Sequence, residues 1–391
     1  MTHRLAVAML VALALSSARA SVATPAEDAA PLRVAMIGAV SGPAKALGRE
    51  LRLGLEAGLK GRAVSGSSGR TRPIELVVAD DGYDPATTRE QFAKLVADES
   101  ILAFVGNVGT PTTLAILPQL EETGILLFAP FTGAQGLRAD PPSRHVVHYR
   151  ASYAEEMDVL IGGLLEQGIG PREIALFTQD DAFGDAGHAA ALKVLAERGH
   201  PDGERLVHAR YPRNTIDVRE AALTIRWAEV PPKAVIMVGA TAPCARLVST
   251  LGRVLPRVHF ASLSFTGSNA LLDALGDDAE GLIVTQVVPV LDARHPTVAE
   301  YLSDLRAHAP EARPGMVSFE GYLVARLLGR ALDRPGVRFT RAGLLDAAAD
   351  IDVGSLGLGE PGPVRVWPTI VRDGRFQPLR WNDLRETTRA D

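Results

Sequence analysis

Threonine hydroxyls and glycines follow an apolar run in the first third of the chain, an arrangement that can bind a polar or anionic group. The run 101–105 ends at a glycine, and Thr110 and Pro111 then open a segment with helical periodicity. A helix N-terminus exposes unpaired N–H groups and the positive end of the helix dipole. Thr110 is predicted to cap this helix. The hydroxyls of Thr110, Thr112 and Thr113 would lie where an anionic or hydrogen-bond-accepting group can dock, although a plain capped helix is the alternative.

The second half of the chain repeats this arrangement. The apolar run 234–238 ends at a glycine, and Thr241 and a proline follow it. The next apolar run in each half ends at Phe-Thr-Gly, at 131–133 and again at 265–267. Two similar halves, each with polar loops at the carboxyl ends of parallel strands, predict two lobes that face each other across a cleft.

Motifs of enzyme chemistry are missing from the sequence. It contains no Gly-x-Ser-x-Gly, no His-Glu-x-x-His and no phosphate-binding glycine loop, and its nine histidines lack metal-ligand spacing. The acid pairs at 80–81 and 180–181 stand where a strand gives way to a turn, so loop and cap roles are expected for them. We therefore predict no enzyme activity, no metal and no cofactor, and an exported α/β enzyme is the weaker alternative.

Short β-branched runs alternate with helical segments from residue 32 onward, which is typical of a mostly parallel sheet covered by helices. The predicted strands are 33–40, 74–80, 101–105, 125–128, 145–149, 173–178, 205–211, 234–238, 259–263 and 282–286. The predicted helices between them are 46–60, 85–98, 111–122, 153–167, 184–198, 218–227, 242–254 and 269–275. The fold class is α/β, with two doubly wound, Rossmann-like lobes.

The chain is expected to pass between the lobes three times. After residue 286 come helices at 297–308, 317–332 and 341–349 without a strand between them, followed by β-like pieces at 364–371 and 375–379. We predict that these helices return to lobe 1 (32–149 plus 290–349) and the last strands to lobe 2 (150–289 plus 350–391). Crossings near 149–151, 286–289 and 350–354 would form a hinge.

The N-terminus has the pattern of a secretory signal. His3 and Arg4 precede an apolar run at 5–15, and Ala18-Arg19-Ala20 supplies a cleavage site. The run is too short to span a bilayer, so a membrane anchor is the weaker alternative. No cysteine follows it, as a lipoprotein would need. The predicted mature protein is exported and soluble, with a flexible leader at 21–31.

Composition narrows the range of partners. The 391 residues are 47% hydrophobic and 22% charged, with a formal net charge of −5. The mild acidity and the lack of a Lys/Arg cluster argue against nucleic acid or an anionic membrane as the main partner. Cys244 is the only cysteine, so it cannot form an internal disulfide, and we expect a small buried apolar residue there.

Several short motifs, in order along almost the whole mature chain, carry a family resemblance. They are RVAMIG at 33–38, SGP at 41–43, ELVVADD at 75–81, DP at 84–85, VG at 105–106, DDAFG at 180–184 and GLIVTQ at 281–286. With them the chain resembles the branched-chain-amino-acid binding proteins of ABC importers, which are type I periplasmic binding proteins. The resemblance implies a periplasmic monomer that binds a small molecule and meets an ABC permease or another inner-membrane or periplasmic component.

The resemblance also implies a set of ligand contacts. The hydroxyl residue for a ligand carboxylate falls on Thr110, the loop after the fourth strand supplies Thr132, and the bulky residue beside the ligand side chain falls on Leu47. The full predicted lining is Leu47, Asn107, Thr110, Phe131, Thr132, Tyr153, Phe183, Thr241 and Phe265. The alternatives are core positions for Phe183 and Phe265 and a purely turn-shaping role for Asn107.

Three departures from the family pattern bear on the ligand. Phe183 and Thr241 stand where tyrosines are usual, and no acid stands at 264–266, where the family places one for the ligand ammonium. An unpaired ammonium in a buried cleft costs heavily. We predict a largely apolar ligand with one polar or carboxylate end, such as an aromatic acid or a lipid such as a sterol.

Two alternatives to this reading stay open. If Glu155, Asp181 or Glu320 reaches the cleft, the cargo would be an amino acid or an amide. The same fold also serves as a periplasmic ligand sensor that feeds a receptor rather than a transporter.

Overall fold

The protein is an α/β molecule with two mostly parallel sheets. Its structure is a computed structural model that describes residues 30–65, 71–201, 206–349, 351 and 366–384. The signal, its cleavage site and most of the third predicted crossing (350–354) lie outside these residues. Almost every predicted strand and helix within them is present, with ends shifted by a few residues. The two-lobed α/β fold class is confirmed.

The first sheet has six strands in the order β2-β3-β1-β4-β5-β6. The strands are β1 (Leu32–Gly38), β2 (Ala63–Val64), β3 (Arg72–Asp80), β4 (Ile101–Val105), β5 (Leu126–Phe128) and β6 (Val146–Val147). All neighbours are parallel except β2 with β3. The two-residue β2 was not predicted, because it is too short to show an alternating pattern. The helices α1 (Lys45–Leu59), α2 (Pro85–Val96) and α3 (Thr110–Thr123) connect the parallel strands.

The second sheet has seven strands in the order β13-β12-β11-β10-β9-β7-β8. Its parallel strands are β7 (Ile174–Asp180), β8 (Val207–Pro212), β9 (Ala234–Val238), β10 (His259–Ser262) and β11 (Ile283–Gln286). The connecting helices are α4 (Tyr153–Glu166), α5 (Ala182–Glu197), α6 (Arg219–Arg226), α7 (Thr241–Leu251) and α8 (Asn269–Leu275). The late strands β12 (Trp367–Arg372) and β13 (Arg375–Pro378) add to β11 in antiparallel fashion.

Three late helices, α9 (Pro296–His308), α10 (Met316–Leu332) and α11 (Arg341–Ala349), pack on the first lobe. Glycines let α10 approach α1 closely: a Cβ at Gly54 would lie 1.9 Å from the carbonyl oxygen of Ser318. Arg341 at the start of α11 donates to the carbonyl oxygen of Ile101 at 3.0 Å. The chain therefore runs from the first sheet into α4 through 149–151 and returns after β11 through 287–289.

The carboxyl ends of the parallel strands in both sheets face the same gap between the lobes. Parallel strands point in the same direction, so the loops that leave their carboxyl ends gather at one edge of each sheet. The loop between β3 and α2, the start of α3 and the loop after β5 come from the first lobe. The starts of α5 and α7 and the loop after β10 come from the second. This gap holds the residues considered next.

Candidate functional site

Three hydroxyl groups meet at the first-lobe side of the gap. The Oγ1 atoms of Thr110 and Thr132 lie 2.7 Å apart, and each lies 3.2 Å from the phenol oxygen of Tyr153. All three side chains are buried. They come from the start of α3, the loop after β5 and the start of α4, so three segments converge on one point. We call Thr110, Thr132 and Tyr153 the hydroxyl triad.

The prediction that Thr110 caps α3 is wrong. The helix begins at Thr110, and the N-cap is Gly109 with φ 107°, a left-handed conformation that a threonine would adopt only with strain. The hydroxyl of Thr110 is therefore free to join the triad. Thr112 instead donates to the carbonyl oxygen of Val108 at 2.6 Å, and the buried Thr113 hydroxyl has no hydrogen-bond partner.

Aromatic rings from both lobes pack beside the triad. The ring centroids of Phe183 and Phe265, both in the second lobe, lie 4.6 Å apart. Phe131 of the first lobe lies 5.6 Å from Phe265, and Tyr153 lies 5.5 Å from Phe183. All four side chains are buried. The structure thus brings six of the nine predicted lining residues into one cluster: Thr110, Thr132, Tyr153, Phe131, Phe183 and Phe265.

The other three predicted residues take different places. Asn107 accepts a hydrogen bond from the backbone N–H of Ile37 at 3.2 Å, so it shapes the loop after β4. Leu47 is buried in the apolar core that also contains the rings of the cluster. Thr241 is the first residue of α7, and its buried hydroxyl has no partner.

A buried arginine in the first crossing joins the two lobes. The guanidinium of Arg150 lies 3.9 Å from the ring centroid of Phe131 and 3.6 Å from a carboxylate oxygen of Glu320 on α10. It also donates to the hydroxyl of Ser264 in the second lobe. Arg150, in the crossing itself, thus contacts both α10 of the first lobe and Ser264 of the second. Removing one partner of such a buried pair would leave an uncompensated charge.

No acid stands at 264–266 in the sequence, but an acid from another helix reaches that loop in three dimensions. A carboxylate oxygen of Glu156, on α4, accepts from the N–H of Ser264 at 2.7 Å and from the hydroxyl of Thr285 at 2.5 Å. Its other oxygen accepts from the hydroxyl of Ser264 at 2.9 Å. Glu156 lies three residues after Tyr153, and helical residues at that spacing share a face. That spacing was the available signal, because a helix that presents Tyr153 to the gap also presents Glu156.

The three acids named as alternatives already have partners. Glu155 accepts from the N–H of Ser152 at 2.6 Å and completes a capping box at the start of α4. Asp181 accepts from the N–H of Phe183 at 2.9 Å and caps α5. Glu320 pairs with Arg150 as described above.

Burial of Glu320 has a further consequence for its charge. Desolvation raises the pKa of Glu320 to about 7, although the guanidinium of Arg150 lowers it, and the charge of Glu156 raises it further. Glu320 therefore carries a full negative charge only above neutral pH. The buried group around Arg150 thus includes a carboxylate, that of Glu320, that titrates near neutrality.

Polar contacts close one rim of the gap. The guanidinium of Arg213, after β8, lies 3.5 Å from the carboxylate of Asp84, which caps α2 in the first lobe. Asn214 donates from Nδ2 to the carbonyl oxygen of Gly82 at 3.2 Å. We call Gly82, Asp84, Arg213 and Asn214 the rim latch. Its members belong to different lobes, so the contact exists only while the lobes are together.

The described part of the chain shows neither a metal-binding cluster nor a membrane-spanning helix. It contains no group of three or more His, Cys, Asp or Glu side chains placed to hold a metal ion. None of its helices combines the length and the apolar character needed to cross a membrane. The aspartates have the expected local roles, since Asp81 accepts from the N–H of Tyr83 at 2.9 Å and Asp181 caps α5. Cys244 is buried and free, as predicted.

Comparison with known proteins gives one family. A family model described as "Periplasmic binding protein" matches residues 31–374. A crystal structure of a possible leucine/isoleucine/valine-binding protein from Rhodopirellula baltica SH 1 is 35% identical, with a TM-score of 0.84 over 93% of this chain and 99% of that one. No curated protein matches the chain.

Two more distant structures share the fold. A branched chain amino acid ABC transporter from Thermus thermophilus with bound valine is 20% identical, with a TM-score of 0.73 over 90% of this chain and 96% of that one. A fatty acid ABC transporter substrate-binding protein from Thermomonospora curvata is 17% identical, with a TM-score of 0.73 over 90% and 92%. Proteins with this fold therefore include one solved with bound valine and one named as a fatty acid transporter component.

Proposed function

Because the chain belongs to the periplasmic binding protein family, we propose that it captures a small, largely apolar ligand between its lobes and delivers it to an ABC-type transport partner. The observation that carries the proposal is the packing of Phe131, Phe183 and Phe265 from both lobes beside the hydroxyl triad. The family is one of solute-binding proteins, and binding rather than catalysis is the role proposed.

Closure of the two lobes supplies the binding energy. Burial of apolar ligand surface against the rings gains about 25 cal/mol per Å². The triad holds the polar end of the ligand, because its hydroxyls both donate and accept and the N-terminus of α3 favours negative charge. The ligand stabilises the closed form only by the contacts that the open form cannot make. A transport partner then recognises the closed form.

The ligand class follows from the balance of charges in the gap. The carboxylate of Glu156 is occupied by two donors from Ser264 and one from Thr285. Glu320 is paired with Arg150. An incoming ammonium would have to displace one of these partners, whereas a carboxylate or hydroxyl end at the triad would not. We therefore propose an aromatic or other apolar acid, or a lipid such as a sterol.

An amino acid or amide is the second candidate, and Glu156 is the observation that favours it. The carboxylate of Glu156, on α4, lies against the loop after β10, where the resemblance places an acid for the ligand ammonium. If ligand binding turned Ser264 or Thr285 away, Glu156 could take an ammonium in their place. A distant relative of the same fold holds valine.

We also propose the organisation of the mature protein. Lobe 1 comprises 32–149 and 290–349, and lobe 2 comprises 150–289 and 350–391. The protein is a periplasmic monomer whose signal is cleaved after about Ala20. The family model, whose match begins at residue 31, supports the location, and N-terminal sequencing of the exported protein would test the cleavage site.

Calorimetry with three probes tests the ligand class. Purified protein, refolded to remove any bound molecule, would be titrated with benzoate, leucine and detergent-solubilised cholesterol. We expect benzoate or the sterol to bind and leucine to bind at least tenfold more weakly, a difference of about 1.4 kcal/mol. Tight binding of leucine alone would contradict the apolar ligand. It would favour an amino acid as the ligand, with its ammonium at Glu156.

A further inference from the structure

Tyr83 occupies a strained position at the edge of the gap. It lies in the loop between β3 and α2 with φ 63°, a left-handed conformation that a bulky residue rarely adopts. Asp81 holds it there by accepting from its N–H at 2.9 Å and from the Thr88 hydroxyl at 2.9 Å. Strain of this kind persists where surrounding contacts fix the backbone conformation, and it often marks a functional position.

The ring of Tyr83 lies between the lobes. In the first lobe it covers Gly109, where a Cβ would come within 2.4 Å of its Cε2 atom. In the second lobe its centroid is 6.4 Å from that of Phe265, and its carbonyl oxygen accepts from Asn214 at 3.4 Å. Tyr83 is thus part of the same cleft as the triad, although neither the repeat nor the resemblance pointed to it.

The phenol hydroxyl of Tyr83 is buried near the side chain of Gln179, but it forms no hydrogen bond of ordinary geometry with another described residue. Burial, with the nearby charge of Asp181, raises the pKa of Tyr83 well above its usual value, so the phenol stays a neutral donor. A buried polar group without a partner is uncommon in a folded protein. The hydroxyl is therefore available to an acceptor that enters the cleft.

A second hydroxyl in the same condition lies in the other lobe. Thr241, at the start of α7, also has a buried hydroxyl without a partner. The phenol of Tyr211 links the surroundings of the two: it donates at 2.9 Å to Gln179, which lies beside the Tyr83 hydroxyl, and accepts at 2.8 Å from the N–H of Ala240, the neighbour of Thr241. Tyr211 is satisfied, whereas the hydroxyls of Tyr83 and Thr241 are not.

We propose that Tyr83, together with Thr241, forms a second polar subsite of the cleft, and that the ligand carries a hydroxyl or carbonyl oxygen that meets it. This proposal rests on the proposed function and deepens it. The ligand would then have a polar group at each end, one at the hydroxyl triad and one at the Tyr83 hydroxyl. Its middle would be apolar and packed against the rings of Phe131, Phe183 and Phe265.

Matched pairs of aromatic acids test the subsite. Benzoate would be compared with para-hydroxybenzoate, and phenylpropanoate with para-hydroxyphenylpropanoate, by calorimetry on the wild type and on Tyr83→Phe. We expect the added hydroxyl to raise affinity roughly fivefold in at least one pair, as one neutral hydrogen bond would. In Tyr83→Phe that gain should vanish, so that the two acids of each pair bind equally.

The possible outcomes distinguish a failure of the proposed subsite from a failure of the proposed ligand class. If both acids of each pair bind the wild type equally, or if Tyr83→Phe keeps the gain, the subsite is wrong and the ligand class stands. If no aromatic acid binds the wild type, both the aromatic-acid ligand and the subsite are overturned.

A measurement without any ligand gives an independent check. Because the Tyr83 hydroxyl forms no well-formed hydrogen bond with another described residue, Tyr83→Phe should leave the Tm of the ligand-free protein unchanged or slightly higher. The matched control is Tyr211→Phe, which removes a hydroxyl with two partners and should lower the Tm. A fall in Tm for Tyr83→Phe as large as that for Tyr211→Phe would make the Tyr83 hydroxyl structural and overturn the proposal.

Discussion

The hydroxyl of Thr110 differs from its neighbours in what it touches. Thr112 donates back to its own helix start, and Thr113 has a buried hydroxyl without a partner, but Thr110 reaches Thr132 and Tyr153. The difference arises because Gly109 takes the capping position and releases the Thr110 side chain. The hydroxyl of Thr110 is therefore placed where a ligand in the cleft can share it with Thr132 and Tyr153.

Replacement of Thr110 by valine should separate binding from stability. The substitution keeps the shape of the side chain and removes one hydroxyl. Thr132 and Tyr153 keep the hydrogen bond between their own hydroxyls, which lie 3.2 Å apart. A lost hydrogen bond to a charged group costs about 1.5–3 kcal/mol, so affinity for a carboxylate probe should fall tenfold or more. The Tm of the ligand-free protein should hardly move.

The control for this experiment is Thr123→Val, which removes an exposed hydroxyl at the other end of the same helix, where it donates to the carbonyl oxygen of Gln119 at 2.6 Å. Its affinity should equal that of the wild type. If Thr110→Val lowers the Tm and leaves the affinity intact, Thr110 has only a structural role.

At the level of elements, the loops after β3 and β8 meet across the cleft through the rim latch. Asn214 adopts φ 60°, as Tyr83 adopts φ 63°, so left-handed residues from both lobes face each other there. These conformations turn the loops so that Asn214 can donate to the backbone of the other lobe. The latch contributes to the closed form alone.

A double variant, Arg213→Ala with Asn214→Gly, should weaken closure. Glycine keeps the left-handed backbone at 214. The variant removes the side-chain contacts across the rim and also the 3.9 Å pair of Arg213 with Asp181 in its own lobe. We expect roughly fivefold to tenfold weaker binding of the probe that binds the wild type in calorimetry, from two partly exposed polar contacts. The Tm of the ligand-free protein should change by about a degree or less.

Arg219→Ala is the matched control for the latch. Arg219 is close in sequence, but among the described residues it pairs only with Asp217 of its own lobe, at 2.7 Å, and it is largely exposed. Its removal should leave affinity unchanged. Equal effects of the two variants would mean that the latch does not govern closure.

On the scale of the whole molecule, two sheets joined by narrow crossings can move as rigid bodies about a hinge. The described crossings, at 149–151 and 287–289, are short compared with the packed lobes. The rings of Phe131 and Phe265 belong to different lobes and meet only when the gap closes. A ligand held by both lobes must therefore change the shape of the molecule.

Small-angle scattering should detect that change. The radius of gyration of the ligand-free protein is expected to exceed that of the protein saturated with the probe that binds in calorimetry. The latch double variant should need more probe to reach the smaller radius. An unchanged radius at saturation would contradict closure by a hinge.

Much of the fold could be read from the sequence because its signals are local. Alternating apolar runs such as 234–238 predict buried parallel strands, and the repeated Phe-Thr-Gly after a strand predicts two similar lobes. The polar loops after these strands were predicted to meet because parallel strands gather their carboxyl ends at one edge. Six of the nine predicted lining residues were accordingly found together.

Only the tertiary structure decided which charges and rings complete the cleft. Glu156 reaches Ser264 across more than one hundred positions of sequence, and Arg150 meets Glu320 from a different helix. Tyr83 enters the cleft because its left-handed backbone aims the ring over Gly109. Contacts of this range depend on how helices rotate against the sheets and on single backbone angles. The helical spacing of Tyr153 and Glu156 indicates a shared face, but no periodicity along the chain gives the rotation of that face against the other lobe, because the packing of both lobes sets it.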